Sequence, residues 1–180
     1  MDFKSQKSAS LRTLTFCALL VAMSVVFSRV LSISTGFLRF NLGSLPVVLA
    51  AVLFGPGAGF AVGALADVIG GVLAGYAVNP LITVGAGAVG FFAGCGWRRL
   101  PARSEGVRLA GGILLGHIVG SMVLNSLALH LFYGYAWAVL AARIPNAVIL
   151  AGAEFVLVRV LLANHALMAA ARGRSGRRSQ

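Results

Sequence analysis

Long apolar stretches, separated by short polar or glycine- and proline-containing breaks, constrain this chain more than any motif it carries. A first span runs from about Arg12 to Ile33, with an apolar run from Leu14 to Leu31 at its centre. Others run from Ser44 to Phe54, Ala58 to Ala74, Leu81 to Gly96, Leu109 to Phe132 and Ala138 to about Ala166. A helix rises about 1.5 Å per residue and needs roughly 20 apolar residues to cross the hydrocarbon core of a bilayer. The second stretch covers about half that depth before Gly55-Pro56-Gly57 ends it, so a short or re-entrant element is predicted there. Hydrophobic residues make up 59% of the chain and charged residues 11%, against about 25% charged in a soluble domain. A soluble globule, a disordered tail and a coiled coil are excluded. The fold class is all-α: a polytopic membrane protein of six transmembrane helices with a short second helix.

Charge patterning supplies orientation. Lys and Arg number 15 against 4 Asp and Glu, for a formal net charge of +11. Eleven of the fifteen form three clumps: Lys4, Lys7 and Arg12; Arg98, Arg99, Arg103 and Arg108; and Arg172, Arg174, Arg177 and Arg178. Clumps between apolar stretches are the positive-inside signature of a membrane protein rather than a nucleic-acid-binding face, and anionic lipid accounts for the C-terminal one. Six crossings put both termini on one side; assigning it to the cytoplasm places Trp97–Arg108 there too. The opposite loops, Ser34–Gly43, Gly75–Pro80 and Tyr133–Trp137, carry one basic residue, Arg39. Basic residues before an apolar run also mimic a secretory signal. The run is long for one and no small-residue cleavage site follows, so it reads as a retained first helix. Cys17 and Cys95, far apart inside apolar stretches, read as small buried hydrophobes.

Small residues recur at helical spacing: Ala18 and Ala22, Gly59 and Gly63, Gly90 and Gly94, and Gly112, Gly116 and Gly120. Such stripes let helix backbones approach closely in lipid, first within the bundle and second against another membrane protein.

The ionisable residues inside the spans are Arg29, Asp67, His117, His130, Arg143, Glu154, Arg159 and His165. A charge at mid-bilayer costs about 2.5–3.5 kcal/mol even on the insertion scale, so each needs a partner or a cavity. Asp67 and Glu154 fall near the midplane, and Arg29 and Arg143 towards the outer ends. Two buried ion pairs and contact with a ligand fit these four equally well. Arg159 is expected to snorkel inward or to pair with Glu154, and His165 to sit in the interface. His117 reads as a packed polar residue. His130, beside Tyr133, Tyr135 and Trp137, either stacks on a ring or joins an aromatic belt. Catalytic constellations are missing: there is no GxxxxGK[ST], HExxH or G-x-S-x-G, and the histidines lack metal-ligand spacing. Ser121 and Ser126, near His117 and His130, raise an intramembrane enzyme as the other class, with Ser126 and His130 as its pair. Serines in membrane helices are commonly interhelical hydrogen bonders.

Several segments then follow one another in a telling order: Ser28-Arg29-Val30-Leu31-Ser32-Ile33, Leu45-Pro46, Phe54-Gly55-Pro56 and Gly63-Ala64-Leu65-Ala66-Asp67. Later come Leu124-Asn125-Ser126-Leu127, Phe132-Tyr133-Gly134 and Ala142-Arg143. This order resembles the substrate-binding S components of energy-coupling factor (ECF) vitamin transporters, most closely the folate family, over nearly the whole chain apart from its tails. The resemblance implies six helices, a ligand cavity open to the outside and no ATPase or cofactor of its own. It implies docking on a membrane coupling (T) subunit driven by two cytoplasmic ATPase subunits, through an AxxxA-like motif matched by Ala18 and Ala22. It also implies a multi-pass protein of a prokaryotic cell membrane, with both termini cytoplasmic.

Chemistry tests folate from a second side. A pterin offers an amide N–H beside an amino group, which a carboxylate such as Asp67 or Glu154 matches. Its ring stacks on Phe40, Tyr76, Tyr133, Tyr135 or Trp137, with His130 beside them. Its glutamate carboxylates call for Arg29, Arg39 or Arg143, and Asn125 and Asn146 orient polar edges. The chain departs from the folate pattern on this side. Ala77-Val78-Asn79-Pro80 follows Tyr76, Asn146 stands where the family often has Lys, and Gly152-Ala153-Glu154 stands where it has Pro-x-Gln. Pro145 is expected to kink the last helix. The reading is an N-terminal tail over 1–11, a transmembrane substrate-binding domain over 12–168 and a basic tail over 169–180. The ligand is folate or a related pterin, or, in the same architecture, another vitamin or a nucleobase-like precursor.

Overall fold

The computed structural model describes residues 3–35, 38–102, 104–141 and 143–172. Arg39 and Phe40 are described in backbone only, and Arg103, Arg174, Arg177 and Arg178 fall outside the described residues. The chain runs through α1 (Phe3–Arg29), β1 (Ile33–Thr35), β2 (Leu38–Phe40), α2 (Ser44–Phe54), α3 (Pro56–Leu73), α4 (Pro80–Arg99) and α5 (Glu105–Gly116). A π-helical stretch (His117–Leu124), α6 (Asn125–Tyr133), α7 (Trp137–Ala141), α8 (Arg143–Ala163) and α9 (His165–Arg172) complete it. Five stretches are long and apolar enough to cross a membrane: Leu11–Arg29, Pro56–Leu73, Pro80–Arg99, Glu105–Tyr133 and Trp137–Ala163. The remaining apolar helix, α2, has only 11 residues, as the Gly55-Pro56 break predicts.

Local chemistry sets the breaks. Gly55, at φ +109°, turns the chain out of α2, and Pro56 opens α3 at a position whose N–H has no intrahelical partner anyway. The Asn79 side chain accepts from Leu81 N–H at 3.0 Å and caps α4 ahead of Pro80. Ser104 caps α5 through Val107 N–H at 3.2 Å.

The structure adds local detail to the sequence reading. The loop after α1 contains a short antiparallel hairpin, with Ile33 opposite Phe40 and Ser34 opposite Arg39. Helix α1 begins at Phe3, inside the stretch read as an N-terminal tail. The fifth span carries a π-helical segment at its centre. Pro145 lies within the apolar helical stretch Trp137–Ala163.

Helix α2 is the hub. Eight of its 11 residues, Leu45 to Val52, are buried. Val47, Leu49 and Ala50 pack with Leu20, Val21 and Val25 of α1 and with Val62 and Ala66 of α3. Leu45, Val48 and Val52 pack with Ala93, Leu109, Ile113, Ala151 and Val158. A helix apolar on every side belongs inside a bundle. The glycine stripes are interhelical contacts: Gly59 meets Gly90 backbone to backbone, Gly96 meets Gly112, and Gly116 and Gly120 lie against the Val89 and Gly85 carbonyls. By contrast Ala18 and Ala22 are exposed.

Candidate ligand cavity

The short α2 makes room for a site. Its 11 residues extend about 16 Å, roughly half of a hydrocarbon core. The backbone just before it is tied into the bundle: Ser24 Oγ donates to the Gly43 carbonyl at 2.6 Å, and Gly43 N–H donates to Asn41 Oδ1 at 3.0 Å. Ser44, its first residue, donates its hydroxyl to Glu154 on α8. The depth that α2 leaves unfilled holds a cavity of about 680 Å³, within the range of small-molecule sites. Its lining comes from α1, the segment before α2 and the start of α2, α3 and the α3–α4 turn, α4, the π-helical stretch, α6, the α6–α7 turn, α7 and the N-terminal part of α8.

Nine of the residues weighed from sequence meet there: Arg29, Asp67, Tyr76, Asn79, Asn125, Tyr133, Tyr135, Arg143 and Asn146. His130 and Trp137 do not line it. Their rings stack on each other, centroids 4.4 Å apart, and His130 Nδ1–H donates to the Tyr135 carbonyl at 2.9 Å. The side chains of Arg39 and Phe40 lie outside the described residues, though Asn41, next to them, is on the wall.

The carboxylates do not form the arginine pairs that the sequence left open. Among the described residues the ion pairs are His117–Glu154 at 2.9 Å and Arg108–Glu105 at 4.0 Å. Asp67 accepts the Thr83 hydroxyl at 2.7 Å, linking α3 to α4. Arg29 lies over the Tyr76 ring, 5.6 Å from its centroid. Arg159 lies over Phe155 at 5.7 Å rather than on Glu154.

Sequence reasoning passed over Ser24, Ser28, Asn41 and Ser44 as site residues, weighed Ser121 only for an enzyme, and took His117 as packing only; all six line the cavity. The available signal was spacing: Ser24 and Ser28, and likewise His117, Ser121 and Asn125, are four apart and share a helix face. Two polar atoms at the wall, Arg143 Nη1 and Asn125 Oδ1, are buried and have no hydrogen-bond partner among the described residues. Buried polar atoms are nearly always paired, so these two leave hydrogen-bonding capacity open at the wall.

A helical membrane bundle around a partly open cavity lined by both polar and apolar residues defines a membrane protein that binds a small solute. The chain belongs to the family of ECF-type riboflavin transporter S components, whose family model matches residues 8–167; it is a transporter component and not an enzyme. It is similar to the folate transporter FolT of Clostridium novyi (strain NT), 38% identical over 53 residues, or 29% of this chain and 31% of that protein. The chain thus matches about a third of that relative's length. A crystal structure of FolT bound with folic acid superposes with a TM-score of 0.69 at 28% identity, covering 83% of this chain and 92% of that one. The S component of a bacterial ECF transporter shares the fold, with a TM-score of 0.61 at 18% identity over 85% and 94% of the two chains.

Proposed function

We propose that this chain captures folate or a related pterin from outside a prokaryotic cell and delivers it through a membrane coupling (T) subunit driven by two cytoplasmic ATPase subunits. The observation that carries the reading is Arg143 at the cavity wall with Nη1 buried and unbonded. A guanidinium there calls for an anionic ligand group, and folate brings two carboxylates. Arg29 is a second guanidinium on the same wall, and Tyr76 and Tyr133 are ring platforms for a flat heterocycle. Likeness to the folate-bound structure supports this ligand. Asp67, Asn79, Asn125 and Asn146 complete the polar lining. The positive-inside count puts both termini in the cytoplasm and the α3–α4 and α6–α7 turns, with the cavity mouth, outside. Exposed Ala18 and Ala22 offer the coupling subunit a smooth face on α1.

A second reading, riboflavin or another vitamin in the same cavity, is favoured by the family that matches the chain. Radiolabelled folic acid binding to the purified chain in detergent separates the two. Saturable submicromolar binding, lost in Arg143→Ala and undisturbed by excess riboflavin, thiamin or biotin, supports folate. Displacement by riboflavin, or riboflavin binding alone, selects the second reading.

A further inference from the structure

Behind the cavity wall lies a buried acid–imidazole pair that the ligand contacts above do not use. Glu154 is 0% exposed; it accepts the Ser44 hydroxyl on Oε1 and meets His117 Nε2 with Oε2 at 2.9 Å. Ser44 and His117 line the cavity, whereas Glu154 does not. His117 opens the π-helical stretch, and Ser121 and Asn125 follow it along the same wall at four-residue intervals. On its other side this stretch packs on the α4 backbone, Gly116 against the Val89 carbonyl and Gly120 against that of Gly85. The polar stripe is therefore braced towards the cavity, and π-helical turns often occur at functional positions.

Proton counting fixes what the imidazole offers there. A carboxyl and an imidazole buried together are least costly with no net charge. A neutral unit carries two protons. One lies between Oε2 and Nε2, on either atom, and the other is then on Nδ1. A net-anionic unit would leave Nδ1 bare at the expense of a buried uncompensated charge. Since Nε2 is engaged by Glu154, Nδ1–H is the polar group that the ring has left for the cavity.

We infer that His117 contacts the ligand and determines specificity, its Nδ1–H donating to an acceptor atom of the bound vitamin. Such an atom is a ring carbonyl, a ring nitrogen or a carboxylate oxygen. Glu154 and Ser44 are positioning residues that hold the ring and its tautomer. The inference rests on reading the cavity as a vitamin site.

The test uses the full chain in detergent with folic acid as the probe. In protein labelled with ¹⁵N-histidine, whose three histidines are assigned by substitution, His117 Nδ1 is expected to be protonated and its resonance to move on saturation. Two variants divide the ring's roles. Asparagine places an amide N–H near the position of Nδ1, and glutamine reaches that of Nε2. His117→Asn, which keeps a donor near Nδ1 but loses the contact with Glu154, should unfold at lower temperature and lose less folic acid affinity than His117→Gln. His117→Gln should hold its thermal midpoint and lose affinity roughly tenfold or more. Wild-type affinity in His117→Gln, or an Nδ1 that is bare or unmoved by folic acid, overturns the inference and leaves the vitamin site standing. A wild-type chain that binds no folic acid overturns the folate reading itself, and this inference with it. The wild-type spectrum decides the matter even where a variant does not fold.

Discussion

The Arg29 side chain crosses α3 over Gly70: a Cβ on Gly70 would sit 3.0 Å from Arg29 Nε and 3.3 Å from Nη2. The absent side chain is what lets a guanidinium from the end of α1 pass over α3 to the Tyr76 ring while still lining the cavity.

Gly70→Val should therefore act on the ligand through Arg29. The group it meets is the end of a flexible side chain, which swings away without disturbing the helices. Folic acid affinity is expected to fall roughly tenfold, the scale of one charge-assisted hydrogen bond, with the thermal midpoint nearly unchanged. Arg29→Ala should give a similar loss. Unaltered affinity in Gly70→Val would mean that Arg29 works from some other position.

Gly90 shows the opposite case, because its neighbour is the backbone of Gly59 and cannot swing aside. Gly90→Ala should cost about 1–3 kcal/mol through overpacking of α3 against α4, read as a lowered midpoint in thermal unfolding. Gly57, near the start of α3, has nothing within 4 Å of a would-be Cβ. Gly57→Ala is the control and should be neutral or slightly stabilising. A Gly90→Ala protein as stable as wild type would mean that the two helices have room to part.

The bundle was legible in sequence because a run such as Leu14 to Leu31 has few ways to be satisfied other than by spanning a membrane. The short α2 was equally legible, since Gly55 and Pro56 are incompatible with continuing the helix. The hairpin was not: three residues per strand are too few for alternation to register. Nor was the π-helical stretch, which is braced by Gly116 and Gly120 against backbone atoms of α4, a tertiary contact.

At the site, charges were legible and hydroxyls were not. Arg29, Asp67 and Arg143 stand out because a charge in a span is costly and demands a cause. A serine hydroxyl can be satisfied by its own helix, as Ser28 is by the Val25 carbonyl at 3.1 Å, so Ser24, Ser44 and Ser121 carry no such demand. Glu154 was noticed but given the wrong partners. Ser44 and His117 lie 110 and 37 residues away from it, and only the packing of three helical elements brings them together.

Docking is testable apart from binding. The glycine stripes are occupied within the bundle, whereas Ala18 and Ala22 leave a small-residue face of α1 exposed. Ala18→Leu with Ala22→Leu puts larger apolar side chains on that face without touching the core. The double variant should bind folic acid like wild type when purified alone. It should fail to co-purify with the coupling subunit and should lose folic acid uptake in cells that co-express the energising subunits. Uptake at the wild-type rate would place the docking face elsewhere.

Arg143 offers the sharpest contrast between stability and function. Its Nη1 is buried without a hydrogen-bond partner, and a desolvated, unsatisfied donor penalises the ligand-free fold. Replacing it with an apolar side chain removes that penalty. Arg143→Leu is therefore expected to unfold at the same temperature as the ligand-free wild type or a higher one. Without the guanidinium, one carboxylate of the bound vitamin loses its partner, and affinity should drop about 10- to 150-fold, equivalent to the 1.5–3 kcal/mol of a charged hydrogen bond. The two effects have opposite signs, which a merely structural arginine would not produce. Thermal unfolding of the ligand-free chain, measured beside folic acid titration of the same preparation, reads both. A destabilised variant that still binds would assign Arg143 to the scaffold and remove it from the site.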